Sequence, residues 1–283
     1  MDHAFKITRF LATIQKNKLA VFGLVLLGVM ILLCILAPVL TPYGYADQAL
    51  VDRFQLPSSN HLLGTDEFGR DILSRILYGG RLSFLIGLGS MAVSLLLGTF
   101  LGALAGFFEG PLDAFIMRIM DMLLAIPQLV LAIAIAAALG GGIGNVILAV
   151  SISSLPGYAR IMRASVLSVK KQEYIEAAQT TGASLGRLLL VHILPNCLGP
   201  LIVQATLGVG VSILSAASLS FIGVGITPPT PEWGAMLSTG RAYIRDYPHL
   251  TLFPGLAIAL SIFALNVLGD GIRDAFDPKQ RRA

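Results

Sequence analysis

The stretch LSFLIGLGSMAVSLLLGTFLGALAGFF, residues 82–108, runs for 27 residues without a charged side chain. A helix rises about 1.5 Å per residue, so about 20 apolar residues cross the roughly 30 Å hydrocarbon core of a bilayer. The rest of the chain has the same character: of 283 residues, 55% are hydrophobic and only 13% are charged, and the mean hydropathy is +0.79. Soluble domains carry about 25% charged residues, so an ordinary soluble enzyme is excluded.

Uncharged stretches of sufficient length predict an all-α polytopic membrane protein with six transmembrane helices. The stretch 122–159 is too long for one helix, and its glycine-rich run at 140–145 is a natural turn, so we divide it into two spans. The first of these is expected to begin near Phe115 and to be kinked by Pro127. The stretch 193–231 holds one helix, because prolines mark both of its ends. The five stretches are 19–40, 82–108, 122–159, 193–231 and 250–269.

The distribution of Lys and Arg predicts the orientation, because cytoplasmic segments carry an excess of them. An even number of spans places both termini on one side. With the termini inside, 13 Lys and Arg lie in inner segments and 6 in outer ones, so both termini are predicted to be cytoplasmic. The first apolar run has 22 residues, against about 7–15 in a signal peptide, and no A-x-A site follows it, so we expect it to be retained as a helix.

Two ionisable residues lie within the predicted third span. Arg118 and Asp121 are three residues apart, on one helical face, and are predicted to form an ion pair. An ionisable group inside a membrane is a functional candidate. A pair within about two turns of the cytoplasmic end can also anchor the helix, which is the interpretation we prefer.

The second predicted span carries small residues at every fourth position. Lipid provides no hydrophobic drive between helices, so their contact surfaces use small side chains that let the backbones approach. The stripe predicts close packing against another helix, either of this chain or of a second membrane subunit. Its members are Ser90, Ser94, Gly98, Gly102 and Gly106.

The sequence lacks the patterns on which catalysis or energy coupling within one chain depends. It contains no G-x-x-x-x-G-K-[ST] loop for nucleotide phosphates, no H-E-x-x-H and no C-x-x-C, and its four histidines are scattered. We therefore expect no enzyme and no catalytic, metal-binding or cofactor-binding residues. The pI of about 9.2 does not imply a nucleic-acid partner, because the charges lie between apolar runs rather than on one polar face.

The longest predicted cytoplasmic loop, residues 160–196, contains the most specific pattern. Its segment 172–181 has good helix formers at its centre and ends at Gly182, a plausible left-handed cap. Ser184 can then cap a second short helix. The pattern also fits an amphipathic loop that lies on the membrane. Small side chains that could fit closely into a groove are Ala177, Ala178 and Thr181.

The same loop resembles the EAA motif of ABC-importer permeases. That motif reads E-A-A, three residues, G, nine residues, I, one residue, L-P, and the match begins at Glu176. His192 occupies the isoleucine position, and Ile193 follows one place later. In the family this loop forms a coupling helix that docks in a cleft of a cytoplasmic ATPase. The resemblance implies ATPase-coupling roles for Glu173, Glu176, Ala177, Ala178, Gly182, Arg187 and Pro195.

Three further segments narrow the resemblance to the C-type permease subunits of dipeptide, oligopeptide and nickel ABC importers. They are LGTDEFGRDILSRILYGGR at 63–81, PPTPEWGAML at 228–237 and GDGIRDAFDP at 269–278. Read physically, 64–71 mixes acidic and basic side chains around two glycines, which predicts a salt-bridged turn, and 70–77 predicts an interfacial helix. These outer loops could serve as a rigid lid or as a docking surface.

The resemblance implies a type I ABC-importer permease in the bacterial plasma membrane. With a homologous permease subunit it would form the path for di- and oligopeptides; nickel, a metal chelate or glutathione is the alternative cargo. The implied partners are two cytoplasmic ABC ATPases, which would bind ATP and Mg²⁺, and an extracytoplasmic substrate-binding protein. The substrate-binding residues are not indicated by the sequence.

We divide the chain into residues 1–81, with the N-terminal tail, first helix and outer loop, and residues 82–283, a five-helix permease core that contains the coupling loop 160–196. Two other classes of protein fit the apolar composition. A stand-alone secondary carrier or channel would need no ATPase, and a membrane scaffold would transport nothing. The EAA-like loop argues against the first.

Overall fold

The computed structural model describes residues 17–276, and within them the chain forms helices and no β-sheet. This arrangement confirms the predicted all-α class. Single helical turns lie at Ala37–Leu40, Leu50–Asp52 and Arg241–Tyr243. The longer helices are α1 (Lys18–Ile35), α2 (Ile72–Phe108), α3 (Gly110–Leu124), α4 (Gln128–Leu139), α5 (Ile143–Lys170), α6 (Glu173–Thr180), α7 (Leu185–Ile222), α8 (Trp233–Gly240) and α9 (His249–Phe276).

Four helices, α1, α2, α7 and α9, are long and apolar enough to cross a membrane, and the bent pair α3–α4 is a candidate for a fifth span. Helix α5 has 28 residues, about 42 Å at 1.5 Å per residue, but carries several basic side chains. The chain is therefore a multi-pass membrane protein, and the count of six stays a prediction. The terminal residues on which much of the predicted orientation rests, 1–16 and 277–283, lie outside the described residues.

Helix α2 begins earlier than the apolar stretch that predicted it. The expected interfacial helix at 70–77 is in fact the first two turns of α2, and Asp71 caps it by accepting a hydrogen bond from the Ser74 N–H at 2.8 Å. The helix continues through Gly79 and Gly80. Pro231 and Trp233 pack directly against these glycines, in the space that side chains would otherwise fill. The proposed division of the chain between 81 and 82 falls inside α2 and stays a prediction.

The third predicted span is broken rather than kinked. Helices α3 and α4 meet at an angle of 90°, with Ala125, Ile126 and Pro127 between them. Proline disfavours a helical conformation of the residue before it, so α3 ends ahead of Pro127 and α4 starts after it.

The stripe of small residues on α2 packs against α5 of the same chain. All five of its members are buried, and the Ser94 hydroxyl donates to the Ser151 carbonyl at 3.0 Å while the Ser151 hydroxyl donates to the Ser90 carbonyl at 3.1 Å. At Gly98 and Gly102 a side chain would collide with the backbone of α5 between Leu155 and Ala159. The stripe therefore serves the intrachain packing that was one of its two predicted uses.

Residues 41–71 and 228–240 form what we call the cap, at the end of the helix bundle opposite α6. The predicted salt-bridged turn is confirmed: Arg70 Nε lies 2.6 Å from Asp66 Oδ2, and Arg75 Nε lies 3.5 Å from the same oxygen. Arg75 also donates to the carbonyls of Tyr45 and Pro229 at 3.1 and 3.3 Å. Because these buried charges are paired and hydrogen-bonded, they hold both parts of the cap in place.

Glu232 and Trp233 join the cap to α2. The buried Glu232 carboxylate accepts hydrogen bonds from the N–H groups of Gly234 and Ala235, both at 2.9 Å, and so caps α8. Burial raises the pKa of Glu232 above its usual value. Trp233 donates from its indole to the Ile76 carbonyl at 2.9 Å. These contacts fix the cap to the beginning of α2, and its roles as a lid or as a docking surface both stay predictions.

The close packing of α2 against α5 predicts that one added methyl group lowers the stability of the protein. Replacing Gly102 by Ala places Cβ against the Ala159 carbonyl and Met162, so we expect the free energy of unfolding to fall by about 1–3 kcal/mol. Gly28, on the exposed face of α1 with nothing within 4 Å, is the matched control. Thermal unfolding in detergent should show a lower midpoint for Gly102→Ala than for Gly28→Ala. Equal midpoints would contradict the packing assignment.

Candidate functional site

The predicted coupling loop folds as a short helix, α6, followed by a tight turn into α7. The N–H of Thr181 donates to the Ala177 carbonyl at 3.1 Å and the N–H of Ala183 to the Ala178 carbonyl at 3.0 Å. These bonds close the end of α6 around Gly182, whose φ is +83°, so the predicted left-handed cap is confirmed. Ser184 then caps α7 by accepting from the N–H of Arg187 at 3.4 Å.

Ile175 is the main contact between α6 and the rest of the protein, and the half-buried Ala178 packs against the same cluster. Ile175 is fully buried and packs in a cluster with Val166 of α5 and Leu188 and Ile193 of α7. The other sides of α6 are open, and the Tyr174 side chain is 45% exposed. The helix is therefore fixed from beneath and free to contact a partner on its outer faces.

The residues assigned to coupling lie on two elements rather than in one compact site. Four of them belong to α6: Glu173, Glu176, Ala177 and Ala178. The two glutamates lie in its first turn, where their negative charges interact favourably with the positive end of the helix dipole. All of the set are exposed except the half-buried Ala178, and none takes part in an ion pair within the described range 17–276. Gly182 is in the turn, and Arg187 and Pro195 are on α7.

The start of α7 explains the displaced isoleucine. Residues Leu188–Ile193 form a π-helix, and Asn196 donates to the His192 carbonyl at 2.7 Å. A π-turn accommodates one extra residue, which brings Ile193 into the buried cluster and leaves His192 half-buried. The buried anchors Ile175, Leu188 and Ile193 were missed from the sequence. The sequence feature that could have revealed this cluster is Ile175, an isolated large aliphatic side chain within a polar segment.

Asp121 pairs with an arginine, but the prediction of Arg118 as its partner is wrong. The Arg160 guanidinium of α5 lies 2.6 Å from Asp121 Oδ1, because α5 runs antiparallel to α3 and presents Arg160 beside it. Asp121 also lies about three turns into α3, since that helix begins at Gly110 rather than near Phe115. The pair is therefore deeper than the sequence indicated.

Two further ion pairs tie the beginning of α3 to the end of α5. Arg163 holds Asp113 through both carboxylate oxygens at 2.6 Å, which is the strongest geometry for such a pair. Lys170 donates to Glu109 at 2.8 Å, and this hydrogen bond holds the pKa of the Glu109 carboxyl below its usual range. Among residues 17–276 no cluster of three or more His, Cys, Asp or Glu side chains could hold a metal ion.

Two family profiles match the chain. The family described as the binding-protein-dependent transport system inner membrane component matches residues 98–282, which include α6 and most of the helical bundle. The family described as the N-terminal TM domain of oligopeptide transport permease C matches residues 8–57.

Similar curated proteins cover nearly the whole chain. A dipeptide transport system permease protein of Alkalihalophilus pseudofirmus is 47% identical, with 95% of this chain and 88% of the relative covered. A di/tripeptide transport system permease protein of Pseudomonas aeruginosa is 46% identical, covering 97% and 92%. A glutathione transport system permease protein of Pectobacterium atrosepticum is 48% identical, covering 86% and 81%.

Solved structures share the fold. The methionine ABC transporter MetNI in inward-facing conformations matches with a TM-score of 0.59 at 17% identity, covering 72% of this chain and 97% of that chain. An amino acid ABC transporter solved with histidines matches with a TM-score of 0.56 at 17% identity, covering 74% and 94%. At these identities the likeness concerns the fold alone, and it confirms the predicted fold.

The anchoring of α6 through Ile175 yields a direct prediction. Replacing Ile175 by Ala removes buried contacts worth about 2–5 kcal/mol, so α6 should open more often. Hydrogen exchange of the amides at 173–183 should accelerate at least tenfold. Leu185→Ala, which truncates a side chain that is 62% exposed, is the control and should leave exchange in α6 unchanged. Equal exchange in the two variants would show that Ile175 is not the anchor.

Proposed function

Since the chain belongs to the family of inner membrane components of binding-protein-dependent transport systems, we propose that it is the permease subunit of an ATP-driven importer of di- and oligopeptides. The observation that carries this proposal is α6, an exposed helix with the EAA pattern that the buried Ile175 and the half-buried Ala178 join to the bundle. The peptide relatives, at 46–47% identity over most of their length, support the cargo.

The packing beneath α6 suggests how force would pass through the subunit. The cluster around Ile175 combines Phe107 of α2, Val166 of α5 and Ile193 of α7. A displacement of α6 therefore acts on three long helices at once, because close-packed side chains transmit strain rather than absorb it. On this proposal Glu173, Glu176, Ala177, Ala178, Gly182, Arg187 and Pro195 carry force at the contact with an ATPase and take no part in chemistry.

The proposal assigns energy and selectivity to other chains. Two cytoplasmic ABC ATPases would bind ATP and Mg²⁺ and hydrolyse the nucleotide, and an extracytoplasmic binding protein would deliver the peptide. A homologous permease subunit would complete the path. Both termini and α6 then face the cytoplasm of a bacterium, and the cap faces outward. Glutathione, itself a tripeptide, is the second candidate cargo because a glutathione permease is 48% identical.

Gly182 provides the test of this function. Its φ of +83° disfavours a side chain by about 1–2 kcal/mol, yet nothing lies within 4 Å of the position that Cβ would take, so Gly182→Leu should fold. We expect it to lower ATP-driven dipeptide uptake by the assembled transporter in proteoliposomes at least tenfold, because the added bulk stands between α6 and the ATPase.

Gly223 is a matched control for this substitution. It has a left-handed φ of +92° and equally open surroundings, but it follows the end of α7, at the opposite end of the bundle. Gly223→Leu should keep uptake within twofold of the unmodified protein. Uptake must also require ATP and survive a proton ionophore. Normal uptake by Gly182→Leu would refute the coupling role, and ATP-independent uptake abolished by the ionophore would identify a secondary carrier instead.

A further inference from the structure

A series of polar contacts extends from the α6 end of the bundle along the interface between α3–α4 and α5. Because the two elements are antiparallel, residues nearer the start of α3–α4 contact residues nearer the end of α5. The successive contacts are Glu109 with Lys170 at 2.8 Å, Asp113 with Arg163 at 2.6 Å, Asp121 with Arg160 at 2.6 Å, and Gln128 with Ser154 at 2.9 Å.

The upper contacts lie deep in the proposed bilayer. Lys170 and Lys171 mark the cytoplasmic end of α5, and Arg160 is ten residues before Lys170, about 15 Å along the helix. Ser154 is about 24 Å from the same end. The hydrocarbon core is about 30 Å thick, so α5, at about 42 Å, would extend about 6 Å beyond it at each end if centred, which places the Asp121–Arg160 pair about 9 Å inside the boundary. Both of its side chains are 55% exposed.

Lipid is a poor environment for the charged groups of this surface. Exposed positions of the spans carry mostly apolar side chains, among them Met122 beside Asp121, 57% exposed, whereas a charged pair in hydrocarbon is costly and normally faces the bundle interior or water. The 90° break at 125–127 is at the same level, and all three of its residues are exposed. Irregular backbone at membrane depth is tolerated only against protein or a water-filled cavity.

The side chains that precede and follow Arg160 on its face of α5 are small. Ser154, Gly157, Arg160 and Ala164 follow one another at helical spacing, and nothing lies within 4 Å of the position that a Cβ of Gly157 would take. Arg118, about one turn before Asp121, is exposed and forms no ion pair with any residue of 17–276. The surface thus presents one carboxylate and two guanidinium groups.

We propose that this face of α5, together with the α3–α4 break, lines a water-filled translocation path, and that Arg118, Asp121 and Arg160 contact the charged ends of a peptide in transit. The inference rests on the proposed importer function. A peptide zwitterion carries an ammonium group, which suits Asp121, and a carboxylate, which suits a guanidinium. Arg118 forms no ion pair among residues 17–276 and is the first contact for the carboxylate, whereas Asp121 and Arg160 reach the peptide by exchanging their mutual ion pair for its two charged ends.

Thiol accessibility tests the water-filled path. In the assembled transporter, Ser154→Cys and Gly157→Cys should react with a membrane-impermeant, charged methanethiosulfonate at least tenfold faster than Val25→Cys, which lies among exposed apolar side chains on α1. The native Cys34 and Cys197 are buried, so the unmodified protein should give a low background. Failure of both cysteines to react, with and without ATP, would overturn the path. Disulfide formation between an unreactive Ser154→Cys and a cysteine in the second permease subunit would assign the surface to that interface instead.

Charge substitutions test the peptide contact. Arg118→Gln should lower dipeptide uptake at least fivefold while ATPase stimulation by the peptide-loaded binding protein stays within twofold, and Arg118→Lys should restore at least half of the uptake. Uptake by Arg118→Gln equal to that of the unmodified protein would overturn the contact. An unmodified transporter that imports no peptide would refute the proposed function, whereas thiol labelling at Ser154→Cys would still report the path for its true cargo.

Discussion

The close approach of α2 and α5 is the contact on which the other features depend. Two helices in lipid gain little from apolar burial, so the small side chains of α2 are what allow backbone-to-backbone contact along their length. That contact fixes the position of α5. Helix α5 in turn presents Arg160 and Arg163 to α3, and it supplies Val166 to the cluster that holds α6.

The two ends of the bundle are built differently. At the cap, charges such as Asp66 and Arg70 are buried, paired and bonded to backbone carbonyls, and Glu232 and Trp233 connect the cap to α2. At the other end, the ion pairs of α3 with α5 are only partly covered by the protein, and α6 is held by the buried Ile175 and the half-buried Ala178. Exposed ion pairs contribute little to stability. Motion is therefore expected at the α6 end, with the cap as the fixed reference.

Much of the fold could be predicted from the sequence, because helical spans follow from apolar length and the turns from glycine and proline. The left-handed cap at Gly182 and the salt-bridged turn at 64–71 were predicted for the same local reasons. Tertiary contacts were harder. Arg118 was chosen as the partner of Asp121 because it is near in sequence, whereas the structure supplies Arg160, which is 39 residues away. The continuation of α2 through Gly79 and Gly80 likewise depends on Pro231 and Trp233, which no local pattern connects to them.

We expect α6 to move as one body with the helices that anchor it when ATP binds to the assembled transporter. Spin-label distances measure this directly, with labels at the exposed positions Gln179 on α6, Ser168 on α5 and Leu62 in the cap. ATP should change the Gln179–Leu62 distance and leave the Gln179–Ser168 distance constant. A constant Gln179–Leu62 distance, or a changed Gln179–Ser168 distance, would contradict it.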